Sequence, residues 1–268
     1  MLKNRELLEI IEKTTFKYPR NIVHLFTGGS HQHGARLPGT GDLDIAGVYV
    51  EPPSIALGLP NEKGFVASTG NNASRNVPGD EDYCLKTLHE FARLAAKGNP
   101  TILGYLFAPD AICDPEFADT VWATHIKPNA HLFASVLADA AFLGYGKSQH
   151  ARMKGLAGRG RHGQRPELET KFGFDTKAAM HMIRMMHEGL EYVTTGIITY
   201  PRPEVSKLLE IRAGEWTEGQ VEREYFQLEA ALILAKDTSP LPQRADIDTI
   251  NKMLADAYIT AWKQFGEI

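Results

Sequence analysis

The chain has 268 residues, of which 43% are hydrophobic and 23% charged, with a formal net charge of -4. That is the make-up of a soluble globular protein with one large domain or two small ones. It carries no global signature of a nucleic-acid binder, so any such contact needs a local patch. Two cysteines, Cys84 and Cys113, make neither a disulfide framework nor a zinc site. The first residues lack the apolar core of a signal peptide, and no apolar run approaches the roughly 20 residues of a membrane helix. The expectation is a cytoplasmic chain with no membrane partner.

The apolar spacing of Leu7, Leu8, Ile10 and Ile11 predicts a helix from Arg5 to Phe16. Ile22 to Thr27 reads as a strand running into a Gly28-Gly29 turn. Leu43 to Val50 reads as a second strand, closed by Pro52-Pro53. Asn61 to Glu81 is rich in Gly, Asn and Ser and reads as loop, with one short strand near Phe65 to Ala67. Asp82 to Lys86 is a third strand candidate. Leu88, Phe91, Leu94 and Ala95 recur at helical spacing until Gly98-Asn99-Pro100 stops them. Thr101 to Phe107 and Ala130 to Met153 read as helices, and Arg159 to Pro166 as a Gly/Arg-rich loop. Asp175 reads as the N-cap of a helix running to about Thr195. Thr217-Glu218-Gly219-Gln220 is a capping box, and Asp246 to Phe265 is the last helix.

Asp42 and Asp44 stand two apart at the start of a strand, so both carboxylates aim at one face. Such a pair is costly unless a cation or proton sits between its members. Oxygen-only ligands suit Mg²⁺, which binds through one or two carboxylates plus substrate phosphates. The glycine-serine turn at Gly28-Gly29-Ser30 offers backbone N–H groups and a hydroxyl to those phosphates. Asp82 is the candidate third carboxylate, with Asp80 and Glu81 near enough to compete. His31 and His33 read as solvent-facing or substrate-contacting residues, since no third metal ligand lies nearby in sequence.

These residues resemble the DNA polymerase β superfamily of nucleotidyltransferases. Its signature is Gly followed by Gly or Ser, a spacer, then Asp-hydrophobic-Asp-hydrophobic. Here Gly29-Ser30 precedes Asp42-Leu43-Asp44-Ile45 by eleven residues. Within that superfamily the chain resembles the branch of RNA-ligase-associated predicted nucleotidyltransferases. The supporting segments are Leu88-His89-Glu90-Phe91, Gly98-Asn99-Pro100-Thr101-Ile102-Leu103, Gly144-Tyr145-Gly146-Lys147-Ser148-Gln149 and Phe174 to His181. The chain departs from the branch at Gly104-Tyr105-Leu106, where Glu-Leu is common, and in the polar insertion His31-Gln32-His33. The resemblance implies that Asp42, Asp44 and Asp82 hold two Mg²⁺ ions, with Mn²⁺ as an alternative, and that Gly29 and Ser30 bind triphosphate. Lys147 and Gln149, in a branch-like motif, join the candidate nucleotide-binding set.

On the helix after Asp175, Lys177, His181, Arg184 and Glu188 form one stripe, and Met182, Met186, Leu190 and Val193 another. Lys177, His181 and Arg184 are therefore candidate clamps for the β- and γ-phosphates. Lys147 to Arg165 holds six Lys and Arg residues and no acid, a local basic segment suited to a polynucleotide backbone or to the triphosphate. The expected fold is α/β (α+β), with a small mixed-sheet nucleotidyltransferase core over residues 1–110 and a mainly helical domain over 111–268. The expected reaction moves an NMP from an NTP, ATP first, to an acceptor hydroxyl of RNA, with release of pyrophosphate. A small-molecule or protein acceptor, and a non-catalytic RNA-binding role, are the rival expectations.

Overall fold

The computed structural model describes residues 4–37, 42–59, 62, 64–70, 79–109, 121–156 and 165–268. Helix α1 (Asn4–Glu12) leads into β1 (Ile22–Thr27), the short helix α2 (Gly29–His33) and β2 (Leu43–Tyr49). Then come α3 (Pro53–Ala56), β3 (Gly64–Ser68), β4 (Glu81–Thr87), α4 (Leu88–Ala95) and α5 (Pro100–Leu106). The remainder is helical: α6 (Ala138–Met153), α7 (Pro166–Phe172), α8 (Thr176–Thr195), α9 (Val205–Ala213), α10 (Glu218–Asp237) and α11 (Ile247–Gln264). The mixed sheet followed by helices is the α+β arrangement expected from the sequence. Among the described residues, no helix is long and apolar enough to cross a membrane.

The sheet runs β1-β2-β4-β3. β1 pairs antiparallel with β2, β2 parallel with β4, and β4 antiparallel with β3. One face carries Leu25, Ile45, Tyr83 and Leu85 and is covered by Leu7 and Ile11 of α1. The other carries Phe26, Ala46 and Val48 and packs on the helices, in a core that continues through Phe91, Phe142, Met182 and Trp262. The C-terminal helix is tied back to the sheet, since Trp262 Nε1 donates to the carbonyl of Glu51 at 2.8 Å.

Two helix boundaries differ from the sequence reading, and two helices are additional to it. α1 stops at Glu12 rather than Phe16; the Thr14 hydroxyl donates to the Ile11 carbonyl at 2.7 Å, offering the chain a local alternative to another helical turn. The helix expected from Ala130 begins only at Ala138, because Lys127–Phe133 is a 3₁₀ segment. The Val136 N–H there bonds to the Pro242 carbonyl at 3.0 Å, a tertiary partner that sequence spacing does not reveal. Helices α7 and α9 were not anticipated; Pro at the first turn of α7 with Glu167 and Glu169 is a start signal that sequence could have yielded.

Candidate active site

β2 and β4 begin side by side because they run parallel, and the register sets Asp44 directly opposite Asp82. Asp42 lies one residue before β2, on the same side as Asp44. One oxygen from each of Asp42, Asp44 and Asp82 falls within 4.8 Å of the others. Burial pushes the Asp44 carboxyl up to about 7, with Asp42 and Asp82 adding to the effect and Lys177 opposing it. A partly buried group of three carboxylates with a proton held this firmly lacks positive charge. An all-oxygen donor set fits a hard divalent ion such as Mg²⁺. Glu81, a competitor for the third position, bonds instead to the Tyr83 hydroxyl. Tyr83 belongs to the α1-facing core.

The glycine-serine turn is built against this cluster. The Gly28 N–H donates to the Asp44 carbonyl at 2.8 Å, which joins the turn to the strand that carries Asp44. Gly29 has φ +54, and a Cβ there would lie 1.8 Å from Asp44 Oδ2. Only glycine fits, on both grounds. Ser30 follows, partly exposed, in the first turn of α2. His31 is held below the usual imidazole range by burial first, then by Arg36, while Asp42 pulls it upward. His33 corrects the expectation of a solvent- or substrate-facing residue. It is 9% exposed and its Nδ1 lies 3.2 Å from Glu188 of α8. The two places where the chain departs from the branch pattern meet in space: Gln32 Nε2 donates to the Gly104 carbonyl at 2.8 Å. A side chain at 104 would press on the Tyr200 hydroxyl, with 3.0 Å from its Cβ.

α8 brings the cations. Asp175 caps it, accepting from the N–H groups of Lys177 and Ala178 at 3.0 and 2.9 Å. Its apolar stripe enters the core against α6, α9 and α10. Lys177 is held below the usual amine range by burial, Arg165 and Arg212, with Asp42 and Asp44 pulling the other way. Lys177 is therefore near enough to feel both the carboxylates and two further cations. Burial, Arg184 and Lys177 hold the His181 ring well below its usual range. Arg184 is buried against Glu188 at 2.8 Å. The sequence marks Arg165 only as the end of the basic segment and gives no sign of Arg212. Arg165 bonds to Asp175 at 2.8 Å, and Arg212 Nη1 reaches the Thr176 hydroxyl at 3.5 Å. These residues come from three separate elements, so no spacing rule links them.

The basic segment looks different once folded. Lys154 pairs with Glu218 at 3.0 Å and Glu222 at 2.8 Å, and His150 lies 2.9 Å from Glu222. Lys147 is exposed and 3.8 Å from Glu229. Gln149 is buried, with its Oε1 lacking a hydrogen-bond partner. Arg159 and Arg161 lie outside the described residues.

A parallel-strand carboxylate triad, a glycine-serine turn pressed on it and a cationic helix opposite are the parts of one catalytic superfamily. A family model described as "RNA repair pathway DNA polymerase beta family" matches residues 2–256. The chain belongs to this family. It is also 30% identical, over 125 residues, to an uncharacterised 38.9 kDa protein of the nrdC–mobD intergenic region of Enterobacteria phage T4. That match takes in 46% of the chain and 36% of the phage protein, so the chain spans well under half of that relative. Family membership places the chain in a DNA polymerase β family, and the three aspartates could hold a metal ion.

Proposed function

We propose that this protein transfers an NMP from an NTP, ATP first, to a hydroxyl of RNA and releases pyrophosphate. The acceptor oxygen bonds to the α-phosphorus, the bond from that phosphorus to the β-phosphate oxygen breaks, and the pyrophosphate leaves. Asp42, Asp44 and Asp82 would hold divalent ions, Mg²⁺ above Mn²⁺, which supply Lewis-acid stabilisation of charge on the phosphoryl oxygens when bound. Asp82 would complete the metal site and help activate the acceptor oxygen. Ser30 and the backbone at Gly29 bind the triphosphate, and Lys177 offsets the charge of the departing pyrophosphate.

The observation that carries this reading is the gathering of one oxygen each from Asp42, Asp44 and Asp82 within 4.8 Å, against the glycine turn at Gly29. The RNA acceptor is supported by the family's description and by the basic segment. One observation favours transfer to a small molecule or a protein side chain instead: Lys147, His150 and Lys154 already face acids of α10. A non-catalytic RNA-binding role leaves the cost of three gathered carboxylates unexplained. The test is pyrophosphate release from each NTP with Mg²⁺ and mixed RNA, run beside Asp44→Ala. Release by the native chain and none by the variant is expected; near-normal transfer by Asp44→Ala overturns the assignment.

A further inference from the structure

Arg184 and Glu188 are charged, yet only 7% and 1% exposed. Glu188 has no part in the proposed reaction. Its Oε1 accepts from Arg184 Nη1 at 2.8 Å and lies 3.2 Å from His33 Nδ1. The other terminal nitrogen of Arg184, Nη2, lies 3.5 Å from Nδ1 of His181. Tyr200 packs on His33 with 5.3 Å between ring centres, and the Arg202 N–H donates to the His33 carbonyl at 3.1 Å. α2 and α8 thus meet at one buried carboxylate, and the stretch around 200–202 packs on the histidine that reaches it.

The chemistry of the partners decides where the protons sit. A guanidinium donates and never accepts, so the His181 Nδ1 that faces it is an acceptor and the ring's proton is on Nε2. His33 Nδ1 lies 3.2 Å from Glu188 Oε1 and 3.4 Å from Arg184 Nη1; the nearer carboxylate only accepts, which makes this nitrogen the donor. One Arg–Glu pair therefore holds two histidines in opposite tautomers. Buried ion pairs are poor sources of stability, and apolar replacements are often neutral or better. His181 is partly exposed and lies one turn after Lys177 on the same side of α8.

We infer that Arg184 is a positioning residue, held in place by Glu188, which fixes His181 as an Nε2–H donor to the leaving phosphates. The role at phosphate rests on the nucleotidyl-transfer reading; the tautomer does not. Long-range ¹H–¹⁵N correlation on the full-length ¹⁵N-labelled protein reads the rings directly, with His181→Gln identifying the signal. The expected His181 pattern at neutral pH is an unprotonated Nδ1 and a protonated Nε2. A protonated Nδ1, or a rapidly averaged ring, overturns the inference whatever the protein catalyses. Arg184→Met, and Glu188→Gln as its gentler companion, should average the tautomer and lower kcat by about tenfold to a hundredfold, the range for partners that orient a functional imidazole. KM for the NTP should change less than kcat. A rise in KM with the tautomer intact makes Arg184 a direct phosphate ligand and overturns the positioning role. Absent transfer by the native chain, with the expected tautomer present, would defeat only the reading of the reaction.

Discussion

Gly29 and Asp44 are in such close apposition that a single methyl group cannot be placed between them: a Cβ on Gly29 would come within 1.8 Å of Asp44 Oδ2. The turn proposed to seat the triphosphate and the carboxylate proposed to hold metal are thus one rigid unit. Gly29→Ala should displace the Asp44 carboxylate and lower kcat by on the order of 100-fold, the cost of about 1 Å of misplacement. Circular dichroism checks that the fold survives, and steady-state kinetics with Mg²⁺ gives the loss.

Asp44→Asn should do two opposite things. In the folded, metal-free protein the Asp44 carboxyl is raised from 3.8 to about 7. Between these values the native state binds more protons than the unfolded chain, so stability falls as pH rises through about 7. Removing the charge should stabilise the metal-free protein at pH 8 by on the order of 1–2 kcal/mol, with little effect at pH 4. It should also abolish transfer. Mg²⁺ should raise the Tm of the native chain more at pH 8 than at pH 5, and should do so hardly at all for the variant. Thermal scans across pH, with and without Mg²⁺, read all of this.

Lys177 feels the charges of the carboxylates and of Arg165 and Arg212, which makes it the candidate contact for an anionic leaving group. Lys177→Ala should raise KM for the NTP by about tenfold to a hundredfold, the loss expected for a charged contact worth about 1.5–3 kcal/mol. Inorganic pyrophosphate should inhibit the native chain more strongly than the variant. An unchanged inhibition constant would remove Lys177 from the leaving-group site.

The basic segment divides into two sets. Lys154 is occupied by Glu218 and Glu222, whereas Arg159 and Arg161 are sequence candidates outside the described residues. If RNA is the acceptor, reversing Arg159 and Arg161 to Glu should weaken binding and flatten its dependence on log salt by about 0.7–0.9 per lost phosphate contact. Lys154→Glu should leave the slope unchanged. Fluorescence anisotropy with a short labelled RNA over a salt series separates the two.

The sheet and its candidate metal ligands Asp42 and Asp44 were legible because their rules are local. Asp42 and Asp44 share a face by strand periodicity, and Gly28-Gly29-Ser30 marks a turn by composition. The partnership of Asp44 with Asp82 was only a guess from sequence, since it depends on β2 and β4 pairing in parallel across a long connection. On α8 the charged stripe was visible, but not its burial. Arg184 and Glu188 have helical spacing that an exposed i,i+4 pair would also have. What sets them apart is His33, which arrives from a distant helix and shows no sequence link to either.

The parallel pairing of β2 with β4 has a consequence for how the protein acquires its chemistry. Asp42 and Asp44 leave the ribosome well before Asp82, and until β4 docks they are two carboxylates on a strand with its inner edge open. The site is therefore a record of long-range closure, a slow class of contact to form. Tight divalent binding should appear with the last non-local pairing of the sheet, making a metal ion a reporter of completed folding as well as a reactant's companion.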